Sequence, residues 1–114
     1  MSTPSSIRYN ENIENMNDES SSILNLRPVT FNYIKDELHN KQYGLIAEEV
    51  YDILPNLVVK NDKGEIETVQ YHQFPALLLN ELIKQNKMII DLQQENIELK
   101  NQIKNINDTL SKLI

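Results

Sequence analysis

Residues 89–113, IIDLQQENIELKNQIKNINDTLSKL, place an apolar residue alternately three and four positions apart. With Ile89 at heptad position a and Leu92 at d, Asn96 is a, Leu99 d, Ile103 a, Ile106 d, Leu110 a and Leu113 d. Seven of these eight positions are aliphatic, and the spacing never slips. Extended backwards, the register puts Leu82 at a and Gln85 and Leu78 at d. This is the pattern of a coiled-coil seam. Glu95 at g and Lys100 at the following e can pair across chains. Isoleucine at both a and d leans away from dimers, so a parallel trimer is favoured over a dimer. The lone Asn96 at a would fix register at some cost in stability. The alternative is an amphipathic helix that packs within its own chain.

The helix should begin near Gln73. Pro75 is tolerated only in a first turn. No Gly or Pro occurs in the 39 residues after it, so the helix would run about 60 Å at 1.5 Å per residue. A chain of 114 residues with 39% hydrophobic content has little left for a core. Such a chain tends to borrow surface from a partner. Leu77-Leu78-Leu79 with Leu82-Ile83 is apolar on more than one face, and this upper part is expected to pack on the head.

Upstream of the helix the signals are short. Residues 1–22 are polar, with serine groups at Ser5-Ser6 and Ser20-Ser21-Ser22, and read as an N-terminal arm. Asp18 could cap a short helix running through Ser22, Ile23 and Leu26, stopped by Pro28. Val29-Thr30-Phe31-Asn32-Tyr33 alternates as a strand does. Residues 35–42 are a polar connection. Ile46, Ala47, Val50, Ile53 and Leu54 share one helical face, and Pro55 ends that helix. Residues 57–59 and 66–71 are strand candidates. Between them Asn61-Asp62-Lys63-Gly64 is hairpin chemistry, with Gly64 supplying a positive φ. The fold class is therefore α+β: a small head over residues 23–72, then a long helix over 73–114 with its seam from about residue 82.

Composition narrows the function. A net charge of −6 with no clustered Lys/Arg surface excludes nucleic acid as a partner class. No Cys is present, so disulfides and thiolate metal sites are excluded. No apolar run of about 18 residues exists to span a membrane. The polar Met1-Ser2-Thr3-Pro4 is not a signal peptide, and it is expected to follow a boundary within a longer protein. His39 and His72 have no ligand spacing around them, so neither a metal nor a cofactor is expected. Glu48 and Glu49 face different directions on the helix. The five tyrosines, Tyr9, Tyr33, Tyr43, Tyr51 and Tyr71, are expected to pack the head.

Four stretches carry a resemblance: residues 5–13 (SSIRYNENI), 26–33 (LRPVTFNY), 44–50 (GLIAEEV) with 54–58 (LPNLV), and 69–71 (VQY) followed by Leu77-Leu78-Leu79. In order and at these spacings they resemble the C-terminal intramolecular chaperone domain of phage endosialidases and tailspikes. The resemblance spans roughly residues 5–90. It implies a domain that trimerises, assists folding of an upstream β-rich fibre or tailspike client, and then cuts itself off. It also implies a virion fibre precursor in the host cytoplasm. The family cleaves itself with a Ser–Lys dyad in Ser-Asp-x-x-x-Lys, just before the Ser. A Lys amine acts as the base once burial lowers its pKa.

Carried over by position, the nucleophile falls on Ser5 and the scissile bond on Pro4–Ser5. Ser6 stands where Asp is common, and Asn10 stands at the Lys position. An amide side chain cannot accept a proton at neutral pH. The resemblance thus implies a self-cleaving serine peptidase that is cleavage-deficient in this chain, through either a natural or a deliberate Lys-to-Asn change. Without the family match, Ser5 and Ser6 would read as ordinary loop serines.

Overall fold

The computed structural model describes residues 4–114. The boundary expected at Met1, Ser2 and Thr3 lies outside the described residues. The elements are β1 (Val29–Phe31), β2 (Gln42–Gly44), α1 (Ala47–Ile53), β3 (Val58–Lys60), β4 (Ile66–Val69) and α2 (Phe74–Leu113). Two antiparallel pairs, β1–β2 and β3–β4, form separate two-stranded sheets. Neither ribbon would be stable alone. The β3–β4 ribbon supplies Val58 and Val69 to a core that also contains Val50 and Leu57, with Ala47, Leu54, Phe74 and Leu77 packed around it, and β1–β2 is flanked by Leu26 and Leu45, which pack against the same core.

Local chemistry explains the joints. Pro55 stops α1 and opens a 3-10 turn, Pro55–Leu57, that swings Leu57 into the core. In the β3–β4 turn, Gly64 sits at φ 79°, where a side chain would be strained. The Asn61 side-chain oxygen accepts the backbone N–H groups of Lys63 and Glu65, each at 2.9 Å. Gly44 serves a different need. A Cβ there would lie 2.7 Å from the Tyr71 hydroxyl. That hydroxyl accepts the Leu45 N–H at 2.9 Å and donates to the Leu45 carbonyl at 3.3 Å, tying β2 to the start of α2.

The structure changes several expectations. The short helix after Asp18 is a 3-10 segment, Asn17–Asn25, with Met16 at its N-cap and no side-chain cap. Its serines instead point polar groups at α2. The strand expected through Tyr33 stops at Phe31, and the 35–42 connection yields a second strand at Gln42–Gly44. The strand expected through Tyr71 ends at Val69, and Tyr71 begins a 3-10 turn into α2. Of the tyrosines, Tyr9, Tyr33 and Tyr43 are 60% or more exposed and do not pack the head.

Helix α2 is 40 residues long, with Pro75 in its first turn. The radius of gyration is 23.2 Å, against about 13 Å for a compact chain of this length, so the helix projects. The upper part behaves differently from expectation. Phe74 and Leu77 pack on the core, but Leu78, Leu79, Leu82 and Ile83 are all more than half exposed. The helix turns another face to the head and arm, so the apolar stripe starts in solvent from its first turns. Leu57→Ala is expected to lower the unfolding free energy by about 3 kcal/mol, as for other buried leucines. Urea unfolding at fixed protein concentration, followed through the head, checks this.

Candidate functional site

The arm enters as an exposed strand of chain. Pro4, Ser5, Ser6 and Asn10 are all exposed. Ser6 precedes a single 3-10 turn, Ile7–Tyr9, closed by Tyr9 N–H to the Ser6 carbonyl at 3.0 Å. The Asn10 N–H follows with a bond to the Ile7 carbonyl at 3.3 Å. Arg8 lies 4.8 Å over the Tyr9 ring. Ser5 and Asn10 therefore bracket one tight turn. Chemically the pair supplies a hydroxyl and an amide, and neither is a base at neutral pH.

The arm becomes fixed at the segment Asn17–Asn25, where it meets α2 through polar groups. Glu81 is buried at 5% exposure, and Ser20 is fully buried. Burying a carboxylate is costly unless it is paired and hydrogen-bonded. Here Ser20 donates to one carboxylate oxygen at 2.9 Å, Gln85 donates to the other at 3.0 Å, and Lys84 donates at 3.2 Å. Asn80 donates to the Asn17 carbonyl and to the Ser20 hydroxyl, both at 2.8 Å. Lys84 also reaches Ser21 at 2.5 Å and Asp18 at 3.1 Å. The periodicity of α2 sets this up, since Asn80, Glu81, Lys84 and Gln85 fall on one side of the helix.

The cluster contains a Ser–Lys contact, Ser21 with Lys84, that could be mistaken for a dyad. Its electrostatics argue the reverse. The Asp18 hydrogen bond, helped by Glu81, raises the Lys84 pKa above its ordinary value. A lysine held as a cation donates to Ser21 and cannot take its proton. The hydrogen bonds from Gln85 and Ser20, with Lys84 beside them, hold the Glu81 carboxyl below its ordinary range. The cluster is built to fasten the arm.

The seam positions lie elsewhere on α2. Leu82, Ile89, Leu92, Leu99, Ile103, Ile106, Leu110 and Leu113 are each more than half exposed, and Asn96 is exposed among them. Gln85, at d, turns to Glu81 of its own helix. Glu49, one of the two adjacent glutamates on α1, binds Arg27 through both oxygens at 3.1 and 2.6 Å. That pair ties the segment before β1 to α1 at the surface. His39, at φ 53°, lies 3.5 Å from the Asn32 amide in the β1–β2 connection. The clamp was not singled out from the sequence. Its visible trace is a polar run (Asn80, Glu81, Lys84, Gln85) on a helix otherwise rich in leucine and isoleucine, facing the serines at 20 and 21.

These features define a class: a small α+β head with an N-terminal arm, carried on a projecting helical stem. Residues 5–59, from the arm into β3, match the family model described as chaperone of endosialidase. The match starts at Ser5 and includes Asn10. No curated protein matches the chain. Among the described residues, no helix is long and apolar enough to cross a membrane.

The clamp should respond to pH at both ends. Glu81 titrates below its ordinary 4.5, so its contribution is present above that value and is lost as pH falls through the folded-state pKa. Lys84 titrates above its ordinary 10.5, so its contribution is present below that value and is lost as pH rises beyond it. Amide-exchange protection at Ser20–Ile23, corrected for intrinsic rates, is expected to fall at both limits. Glu81→Gln should flatten the acid limb and leave the alkaline one.

Proposed function

We propose that this chain is an intramolecular chaperone module that forms a parallel homotrimer through its stem and assists folding of an upstream fibre or tailspike client in the same polypeptide. The observation that carries the reading is the endosialidase-chaperone match over residues 5–59. The stem adds a physical reason for association. An uncovered apolar stripe along 40 helical residues is driven to find a partner, since removing apolar surface from water contributes roughly 25 cal/mol per Å². The seam residues are Leu82, Ile89, Leu92, Asn96, Leu99, Ile103, Ile106, Leu110 and Leu113.

On the same reading, Ser5 is the nucleophile position and Pro4–Ser5 the scissile bond. Asn10 removes the base, and Lys84 cannot replace it because its partners keep it charged. The module therefore stays attached to its client and does not release itself. Its place is a fibre precursor in the cytoplasm of a virus-infected host cell. No cofactor has a role in this chemistry.

Four outcomes are expected. Sedimentation equilibrium of residues 5–114 should give the mass of three chains. Ile89→Asp with Ile103→Asp should give one, because six carboxylates would face a single seam. A client expressed without residues 5–114 should fail to reach a folded trimer, and equal folding with and without them would sink the chaperone reading. Asn10→Lys behind a folded client should restore cleavage before Ser5, read as a new N-terminal serine by mass spectrometry. Intact product would overturn the assignment of Asn10.

A further inference from the structure

We propose that each arm is gripped by two chains: fastened by the polar clamp to its own stem, and covered on its outer side by Leu79 and Ile83 of a neighbouring copy. The inference rests on the parallel trimer proposed above and adds the surface between copies that the seam alone does not use.

Helix phase carries the argument. On a wheel of about 3.5 residues per turn, Glu81 and Lys84 lie about 100° and 150° to one side of Leu82, and Leu79 and Ile83 lie about 50° and 100° to the other. The first flank holds the chain's own arm, through Ser20, Ser21 and Asp18. The second flank is bare, with Leu79 57% and Ile83 54% exposed. The seam runs between the two flanks. Cyclic symmetry about such a seam makes the groove between any two neighbouring helices from unlike walls. One wall is the arm-bearing flank of one copy, and the other is the bare flank of the next.

What the arm presents to that groove is apolar. Ile23 and Leu26 line a crevice with Phe74 and Leu78, at the seam-side edge of the arm's contact with α2. Leu24, next to them, is 65% exposed. Asp18 and Ser21 contact Lys84, Ser20 contacts Glu81, and Ile23 and Leu26 lie with Phe74 and Leu78, so the arm spans the level of residues 74–84, and a parallel arrangement brings that span beside Leu79 and Ile83 of the next copy. Burial of these side chains would couple arm docking to assembly. The arm would be fully held only once copies have met, and Glu81 would be sealed further from water.

The chain has no cysteine, so engineered pairs report cleanly. Leu24→Cys with Ile83→Cys places the two thiols on opposite flanks of one helix, too far round it to join within a chain. Mild oxidation is expected to give a covalent ladder ending at three chains on a non-reducing gel. Mixing the two single variants before refolding should give a cross-linked band containing one chain of each. Leu24→Cys with Ile97→Cys, about 21 Å further down the stem by helical rise, should give none. A separate Leu92→Cys variant reports on the seam. If Leu92→Cys cross-links and the Leu24/Ile83 pair does not, the neighbour grip is wrong and the trimer stands. If neither cross-links, the trimer reading falls and the grip falls with it. A ladder from the Ile97 pair equal to that from the Ile83 pair would also overturn the proposal, because it would show a mobile arm.

Discussion

A helix of 40 residues cannot bury its apolar stripe against a head that it leaves within three turns. That mismatch governs the rest of the molecule. The core is small, built on Val50, Leu57 and Val69, and it uses only Phe74 and Leu77 of α2. Everything apolar below them is left for another surface. A conventional domain of this length would fold the helix back on itself through a turn. With no Gly or Pro after Pro75, this chain has no place to make one.

The division of faces on α2 follows from the same constraint. If the arm docked through leucines, it would cover part of the apolar stripe. The arm docks through Asn80, Glu81, Lys84 and Gln85 instead, a flank that no apolar surface would choose. Buried polar contacts are demanding, because a buried carboxylate left unpaired is strongly destabilising. They are also specific. A shift of one residue in the arm would cost Glu81 its Ser20 bond and Lys84 its contacts with Ser21 and Asp18. The apolar stripe supplies driving force with little sense of position, and the clamp supplies position.

Different parts of this design were legible in the sequence to different degrees, for physical reasons. The α+β class, the helix start at Pro75 and the Gly64 turn were readable because each rests on local stereochemistry or a long period. The hairpin strand Gln42–Gly44 was not, because a three-residue strand has no period to detect and is set by pairing with Val29–Phe31. The arm segment read as a capped helix because Asp18 suits an N-cap. It is a 3-10 segment because its side-chain oxygens are committed to α2, 60 or more residues away. The upper leucines misled for a related reason. Leu78, Leu79, Leu82 and Ile83 were expected on the head, but the helix phase that satisfies Glu81 turns them away from it. The Ser5 and Asn10 positions were readable only through the family motif. Nothing in their exposure or hydrogen bonding marks them out.

The Ser21–Lys84 contact and the Ser5–Asn10 pair together sharpen what a serine–lysine dyad requires. A lysine base needs burial without an anion, so that the neutral amine is favoured. Lys84 has partial burial, but Asp18 and Glu81 stand beside it, and the balance goes to the cation. Position 10 has an exposed backbone turn and an amide. One site has the amine without the environment, and the other has neither. Moving an amine to position 10 would not by itself supply the desolvation that a base needs, because the turn Ile7–Tyr9 is open to solvent in a single chain. A client chain or neighbouring copies would have to cover it. Assembly and catalysis would then be linked in the useful order, with the base becoming competent only after the copies and client had come together.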